Sequence, residues 1–228
     1  MANMANATNT AQGTHRPVDG LVYVEFVSRR PGVDLHDFHT TMEAAHGSWS
    51  TGHGEDVLLW AGARTWRIGP EPEHLTIWYS PGFGLGRLDG WDRLFRAGEA
   101  ERHAQTVGRV ARIERAGCYR PLREPVAVRQ GTPGEAHGVY YVEFFAARET
   151  LPVITSFYAA RARRLVEGTL NLLAYRIGGL APDPGGIALW TVPSFAALED
   201  LAGSLDTGRD PIGGVMAGTY TDVGREIL

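Results

Sequence analysis

Four short segments of this chain recur in the same order, and no other feature restricts its architecture as much. "VYVEF" (Val22–Phe26) returns as "YYVEF" (Tyr140–Phe144), and "TWRIG" (Thr65–Gly69) as "AYRIG" (Ala174–Gly178). "IWYSP" (Ile77–Pro81) returns as "LWTVP" (Leu189–Pro193), and "AGCY" (Ala116–Tyr119) as "AGTY" (Ala217–Tyr220). A chain written twice must fold as two copies of one unit. The copies are expected at 19–120 and 138–228, joined by a Pro- and Gly-containing linker at 121–137 and preceded by a polar flexible tail at 1–18. With 228 residues and 43% hydrophobic content, both copies have apolar material for a core.

Within the first copy, "GLVYVEFVS" reads as a strand. "PGVDLHDFHTTMEAAHGSW" opens with a turn, offers Asp34 as an N-cap and continues with helical periodicity, its apolar stripe being Leu35, Phe38, Met42 and Ala45. "DVLLWAGARTWRIG" and "HLTIWYS" read as strands, "LDGWDRLFRAGEAERHAQ" as a helix with Trp91, Leu94 and Phe95 on one face, and "VARIERAGCY" as a closing strand. The second copy repeats this β-α-β-β-α-β order, the split βαβ or ferredoxin-like arrangement, whose open sheet face needs a cover. The expected class is therefore α+β, with two tandem ferredoxin-like repeats packing their open faces together as a barrel.

The duplicated pattern resembles the dimeric α+β barrel superfamily in fused, intrachain form, over essentially everything after the tail. "DLHDFHTTMEAAHGSW" (Asp34–Trp49) is similar to the first helix of EthD-like members: His46-Gly47 matches their His-Gly-Pro turn, with Ser48 in place of the proline and Met42 in place of the usual Trp. Proteins with this barrel include polyketide cyclases and dehydratases, muconolactone isomerases, cofactor-free monooxygenases and heme-binding chlorite dismutases. The resemblance implies a histidine near the pocket that moves protons. It also implies that a heme ligand would come from the C-terminal copy, which has no histidine after His137.

Composition narrows the chemistry. All 22 basic residues are Arg and none is Lys, which removes Schiff-base catalysis and the phosphate-loop lysine of nucleotide hydrolases. No GxGxxG follows a strand in a βαβ setting, leaving a dinucleotide no evident cradle. The single Cys118 excludes an internal disulfide and a cysteine metal cluster. A net charge of -4 leaves no basic field for nucleic acid. Without a long apolar run or a secretory signal, a cytoplasmic location is expected. The Arg-only, Ala/Gly-rich composition points to a bacterium with GC-rich codons.

Each VEF strand places a carboxylate inside an apolar run, where it is costly unless partnered. If Val22, Val24 and Phe26 face the helices, then Tyr23 and Glu25, with Tyr141 and Glu143, point into a shared barrel cavity. Two accounts of the glutamates stand open: structural ion pairs with Arg64, Arg67 or Arg176, or carboxyls with raised pKa acting as general base or acid. Histidine breaks the symmetry. His36, His39, His46 and His53 lie on or just after the first helix, whose counterpart carries Arg161, Arg163 and Arg164. His39, Glu43 and His46 share one flank, either as an idle solvated face or with His39 or His46 leaning over the pocket mouth; His74 is a further candidate. No metal is expected there. Trp60, Arg64 and Trp66 share a strand face; with Trp78, Tyr23, Tyr141 and Tyr175 the aromatic strand residues read either as core or as the wall of an aromatic pocket.

These readings lead to an expected cofactor-independent cyclase, dehydratase or isomerase for a small aromatic or polyketide-like substrate, possible as a homo-oligomer and with no nucleic-acid or membrane partner. His46, His39, Glu25 and Glu143 are the catalytic candidates; Tyr23, Tyr141, Trp60, Arg64, Trp66 and Trp78 are the binding candidates. Proton abstraction beside a carbonyl by His46, His39 or Glu25, with Arg64 or Tyr23 on the enolate oxygen, is the expected chemistry. A cofactor-free monooxygenase and a non-catalytic aromatic-ligand or heme-binding protein are the alternatives.

Overall fold

The computed structural model describes residues 18–52, 57–64, 73–81, 98–126, 128, 139–165, 168–178, 180–181, 183, 185–206 and 208–222. The first copy contains β1 (Gly20–Arg29), α1 (Leu35–Gly52), β2 (Val57–Arg64), β3 (His74–Pro81), α2 (Glu99–Val110) and β4 (Ala111–Pro121). The second contains β5 (Val139–Ala147), α3 (Leu151–Arg164), β6 (Thr169–Arg176), β7 (Gly186–Val192), α4 (Phe195–Gly203) and β8 (Ile212–Asp222). Trp91, Leu94 and Phe95 lie outside the described residues. So do His53, Trp66 and Arg67.

Local chemistry sets the element ends. Asp34 caps α1 by accepting the His36 backbone N–H at 2.8 Å, and its carboxyl is held below the usual range mainly by that hydrogen bond. Ser194 caps α4 in the same way through Ala197 N–H. Pro152 stands in the first turn of α3, where a missing N–H costs nothing.

The strands make one antiparallel sheet that closes on itself in the order β1-β3-β2-β8-β5-β7-β6-β4. Each copy contributes a block with its first strand central, β4-β1-β3-β2 and β8-β5-β7-β6. The blocks join edge to edge through Gly62–Arg64 against Tyr220–Asp222, and through Tyr119–Pro121 against Ala174–Arg176. Past Pro121 the chain keeps to β6, with Leu122 N–H donating to Leu173 O and Val126 N–H to Asn171 O.

This closed sheet departs from the expected pair of sheets facing each other across a shared pocket. One continuous sheet runs through both copies, and side chains fill the space that it wraps. Val22, Val24 and Phe26 meet Tyr140, Val142 and Phe144, together with Leu75, Ile77, Tyr119, Leu172, Leu189 and Tyr220. Phe26 and Phe144 rings lie 5.4 Å apart, and Trp60 packs 5.4 Å from Tyr140 and 5.8 Å from Tyr220. The facing of β1 and β5 is thus the reverse of the expected one. Tyr23, Glu25, Tyr141 and Glu143 point toward the helices. The physical reason is that the interior faces of β1 and β5 are packed with apolar and aromatic side chains, with Arg115 lying over the Phe26 ring, whereas on the outer face the carboxyls meet Arg161 and the Trp78 N–H.

Trp60, expected on a ligand wall, is an interior core residue. Its indole lies over Gly62, where an added Cβ would sit 2.1 Å from Trp60 Cζ2. Gly62→Ala is expected to destabilise the fold by about 1–3 kcal/mol through overpacking, measured by urea denaturation.

Candidate functional site

The helix-facing side of the N-terminal copy is built from two neighbouring strands and one helix. Register places Tyr23 opposite Trp78, Glu25 opposite Thr76 and Val27 opposite His74. Over them α1 buries Phe38, Met42, Ala45 and His46. Leu35, expected in that stripe, is 47% exposed; it sits at the helix start, before α1 reaches the sheet. His46, expected on a solvated flank or at a pocket mouth, turns inward instead. Its ring stands edge to face on Trp78 at 5.5 Å and stacks toward His74 at 6.2 Å, with Nε2 in a long 3.5 Å contact to Thr76 Oγ1. Phe38 closes the other side of His74 at 5.4 Å.

Glu25 Oε2 accepts a hydrogen bond from Trp78 Nε1 at 3.4 Å. Burial raises its pKa to about 7, the indole bond opposing the rise. Its neighbours are neutral at that pH. Burial lowers His46 to about 4 and, with His46 and His39 adding repulsion, takes His74 well below its ordinary value. Burial likewise raises the Tyr23 phenol, with Glu25 contributing, and the Cys118 thiol.

The C-terminal copy shows what such a carboxylate ordinarily meets. Glu143 is fully buried and takes a bidentate pair from Arg161 of α3, at 2.8 and 2.9 Å. The guanidinium also donates to Ser204 Oγ and to Leu201 O at the end of α4, and lies 5.2 Å from the Trp190 ring. Burial periodicity aligns the two helices: Phe38, Met42 and Ala45 on α1 stand where Ile154, Tyr158 and Arg161 stand on α3. Ala45 therefore occupies the place of the arginine. Tyr23 and Glu25 are half-buried, while Tyr141 is 7% exposed and Glu143 has no exposure. The cluster under α3 and α4 is correspondingly larger than the one under α1 and α2 among the described residues.

Several expected residues thus meet, but outside the wrapped interior. Glu25, Tyr23, Trp78 and His46 come together, and His74 joins them from β3. His39 lies at the half-buried edge of α1, its Nε2 enclosed without a hydrogen-bond partner among the described residues. Glu143 and Tyr141 belong to the sealed copy. The expected partner Arg176 pairs with Asp183 instead, and Arg64 is placed only by its strand position opposite Tyr220. Ala45 was not anticipated. An arginine in register with Ile154 and Tyr158 on an apolar stripe was the available signal.

No family model and no curated protein matches this sequence. Solved structures do. A mutant chlorite dismutase from Candidatus Nitrospira defluvii, in complex with cyanide, aligns with TM-score 0.58 at 8% identity, over 90% of this chain and 92% of that one. A candidate chlorite dismutase aligns at 0.55 and 11% identity, over 91% and 96%. A candidate monooxygenase from Fusobacterium nucleatum aligns at 0.61 and 6% identity, over 91% and 93%. The class so defined is a duplicated ferredoxin-like α+β fold shared with chlorite dismutases. At these identities the likeness is one of fold alone.

These findings correct the expected activity. The structural likeness runs to proteins named as dismutases and a monooxygenase, which are oxidoreductases, rather than to cyclases, dehydratases or isomerases. The polyketide-cyclase, lyase and isomerase assignments lose their support with it, and the described side chains of the interior that was to hold the substrate pack against one another.

The residues present do not fit the heme that the chlorite dismutase resemblance implies. Arg161, Glu143, Tyr158 and Trp190 fill the C-terminal helix–sheet layer, and no histidine follows His137. In the N-terminal copy His74 is clasped between Phe38 and His46, and His46 directs Nε2 at Thr76. Among the described residues no group of three metal-ligating side chains converges. Titration with hemin is expected to give no Soret band saturating at one equivalent. Among the described residues no helix is long and apolar enough to cross a membrane.

Proposed function

We propose that this protein binds a small organic molecule in the crevice between α1 and the N-terminal strands β1 and β3, with Glu25 as the polar anchor and Trp78, Tyr23 and Met42 as walls. The observation that carries this reading is the difference between matching places in one chain. The same sheet positions are sealed by Arg161 in the C-terminal copy, whereas in the N-terminal copy, where Ala45 takes the matching helix place, Tyr23 and Glu25 stay partly exposed. A carboxyl enclosed by protein yet still reached by solvent is the property of a group lining a ligand site. The C-terminal copy serves as the counterpart that holds the sheet shut.

The EthD-like resemblance of Asp34–Trp49 belongs to the same proposal, since that helix supplies Met42, Ala45 and His46 to the crevice. A small-molecule partner is part of it, and association of copies is compatible with it. Ligand-observed NMR with a fragment library tests the site. Fragments that bind the parent are expected to be lost in Ala45→Phe, whose ring would fill the crevice. Fragments that bind both equally would place ligand binding elsewhere.

A further inference from the structure

We propose that the crevice over Glu25 takes a cationic ligand, a planar amidinium or guanidinium on an aromatic or apolar body, in the place that Arg161 fills in the C-terminal copy. This inference rests on the reading of the crevice as a binding site and adds the ligand's chemical class.

The chain carries its own model of the complex. In the C-terminal copy a planar cation lies between a strand carboxylate and aromatic rings: Arg161 gives both guanidinium nitrogens to Glu143 and lies 5.2 Å from Trp190 and 5.4 Å from Tyr158. The N-terminal copy keeps the receiving half of this arrangement. Glu25 stands where Glu143 stands, and Trp78, opposite Tyr23, stands where Trp190 stands, opposite Tyr141. Among the described residues no cation takes that place, because Ala45 ends at its methyl group. The Trp78 N–H takes up one carboxyl oxygen in its absence, whereas Trp190 Nε1 has no such bond.

Charge selects the same class. The groups facing Glu25 are Tyr23 on its own strand, Thr76, Trp78 and His74 on β3, Cys118 on β4 and His46 on α1, with His103 of α2 acting on His46. Burial keeps Tyr23, Cys118, His46 and His74 uncharged near neutrality. Glu25 is therefore the one carboxyl of the crevice among the described residues. An anionic ligand would meet only repulsion, and a neutral one would leave half of a bidentate acceptor unused. A forked cation satisfies both oxygens and stacks on the indole.

The test uses the full chain with benzamidine, phenylguanidine, benzamide and benzoate as probes, read by calorimetry and Trp fluorescence. The two cations are expected to bind at least ~10-fold more tightly than benzamide, and benzoate not at all. Binding should expel the Glu25 proton: close to one proton per ligand at pH 6 and almost none above pH 8, with affinity rising toward pH 7 and then levelling. Ala45→Arg, which supplies the cation from the helix, is expected to abolish cation binding and to raise the melting temperature. Glu25→Gln should bind the cations more weakly by ~10-fold or more and release no proton. Benzamide or benzoate binding as well as benzamidine, with loss in Ala45→Phe, would overturn the ligand class and leave the site standing. Cation binding that survives both Ala45→Phe and Ala45→Arg, or no binding by any probe, would overturn both. Should Ala45→Arg fail to fold, Glu25→Gln alone decides the ligand class through its affinity and proton count.

Discussion

Arg161→Ala is expected to lower the unfolding free energy by about 3–5 kcal/mol, because it strands Glu143 as a buried charge without a partner. Both side chains are almost wholly withdrawn from water, and the guanidinium also ties the end of α4 to the sheet through Leu201 O and Ser204 Oγ. The double replacement Arg161→Met with Glu143→Leu should recover most of that loss, since an apolar pair of similar size needs no mutual satisfaction. Guanidinium chloride denaturation of the parent and the two variants measures this. A loss under about 1 kcal/mol for Arg161→Ala, the scale of a solvated surface pair, would show that the bridge is not buried as described.

The second large effect falls on the opposite copy and depends on pH. In the folded chain Glu25 has a pKa of about 7, above the ordinary value of 4.5 that it takes when unfolded. Between those values the folded state binds more protons than the unfolded state, so stability falls as pH rises through that window and levels off beyond it. Glu25→Gln removes the ionisation. Relative to the parent, the variant should gain little at pH 4 and up to about 3 kcal/mol at pH 8. His46 acts in the opposite sense, since a folded pKa of about 4 makes stability fall as pH drops from 6.5. Its contribution is common to both proteins and cancels in the difference. A gain that is the same at both pH values would show that Glu25 keeps an ordinary carboxyl pKa.

The two effects come from one replacement within the repeat. Where α3 carries Arg161 the carboxylate is paired and sealed; where α1 carries Ala45 it holds its proton and stays reachable.

The duplication, the β-α-β-β-α-β order and most element spans were legible in the amino-acid sequence, because repeats, caps and hydrophobic period are local properties of the chain. The VEF segments, the Asp34 cap and the strand at Gly186–Val192 are cases in point. Which face of β1 and β5 turns inward was decided only in three dimensions. Alternation marks two faces but gives them no address, and here both are covered, one by the other copy and one by helices. Val24 and Tyr23 are each compatible with either cover; on the helix side Glu143 meets Arg161 and Glu25 meets the Trp78 N–H and partial exposure, partners that the apolar packing around Val24 and Val142 does not offer. The direction of His46 and the matching of Ala45 to Arg161 were decided in the same way. Both depend on how α1 and α3 sit against their strands, a relation between segments that come together only in the folded chain.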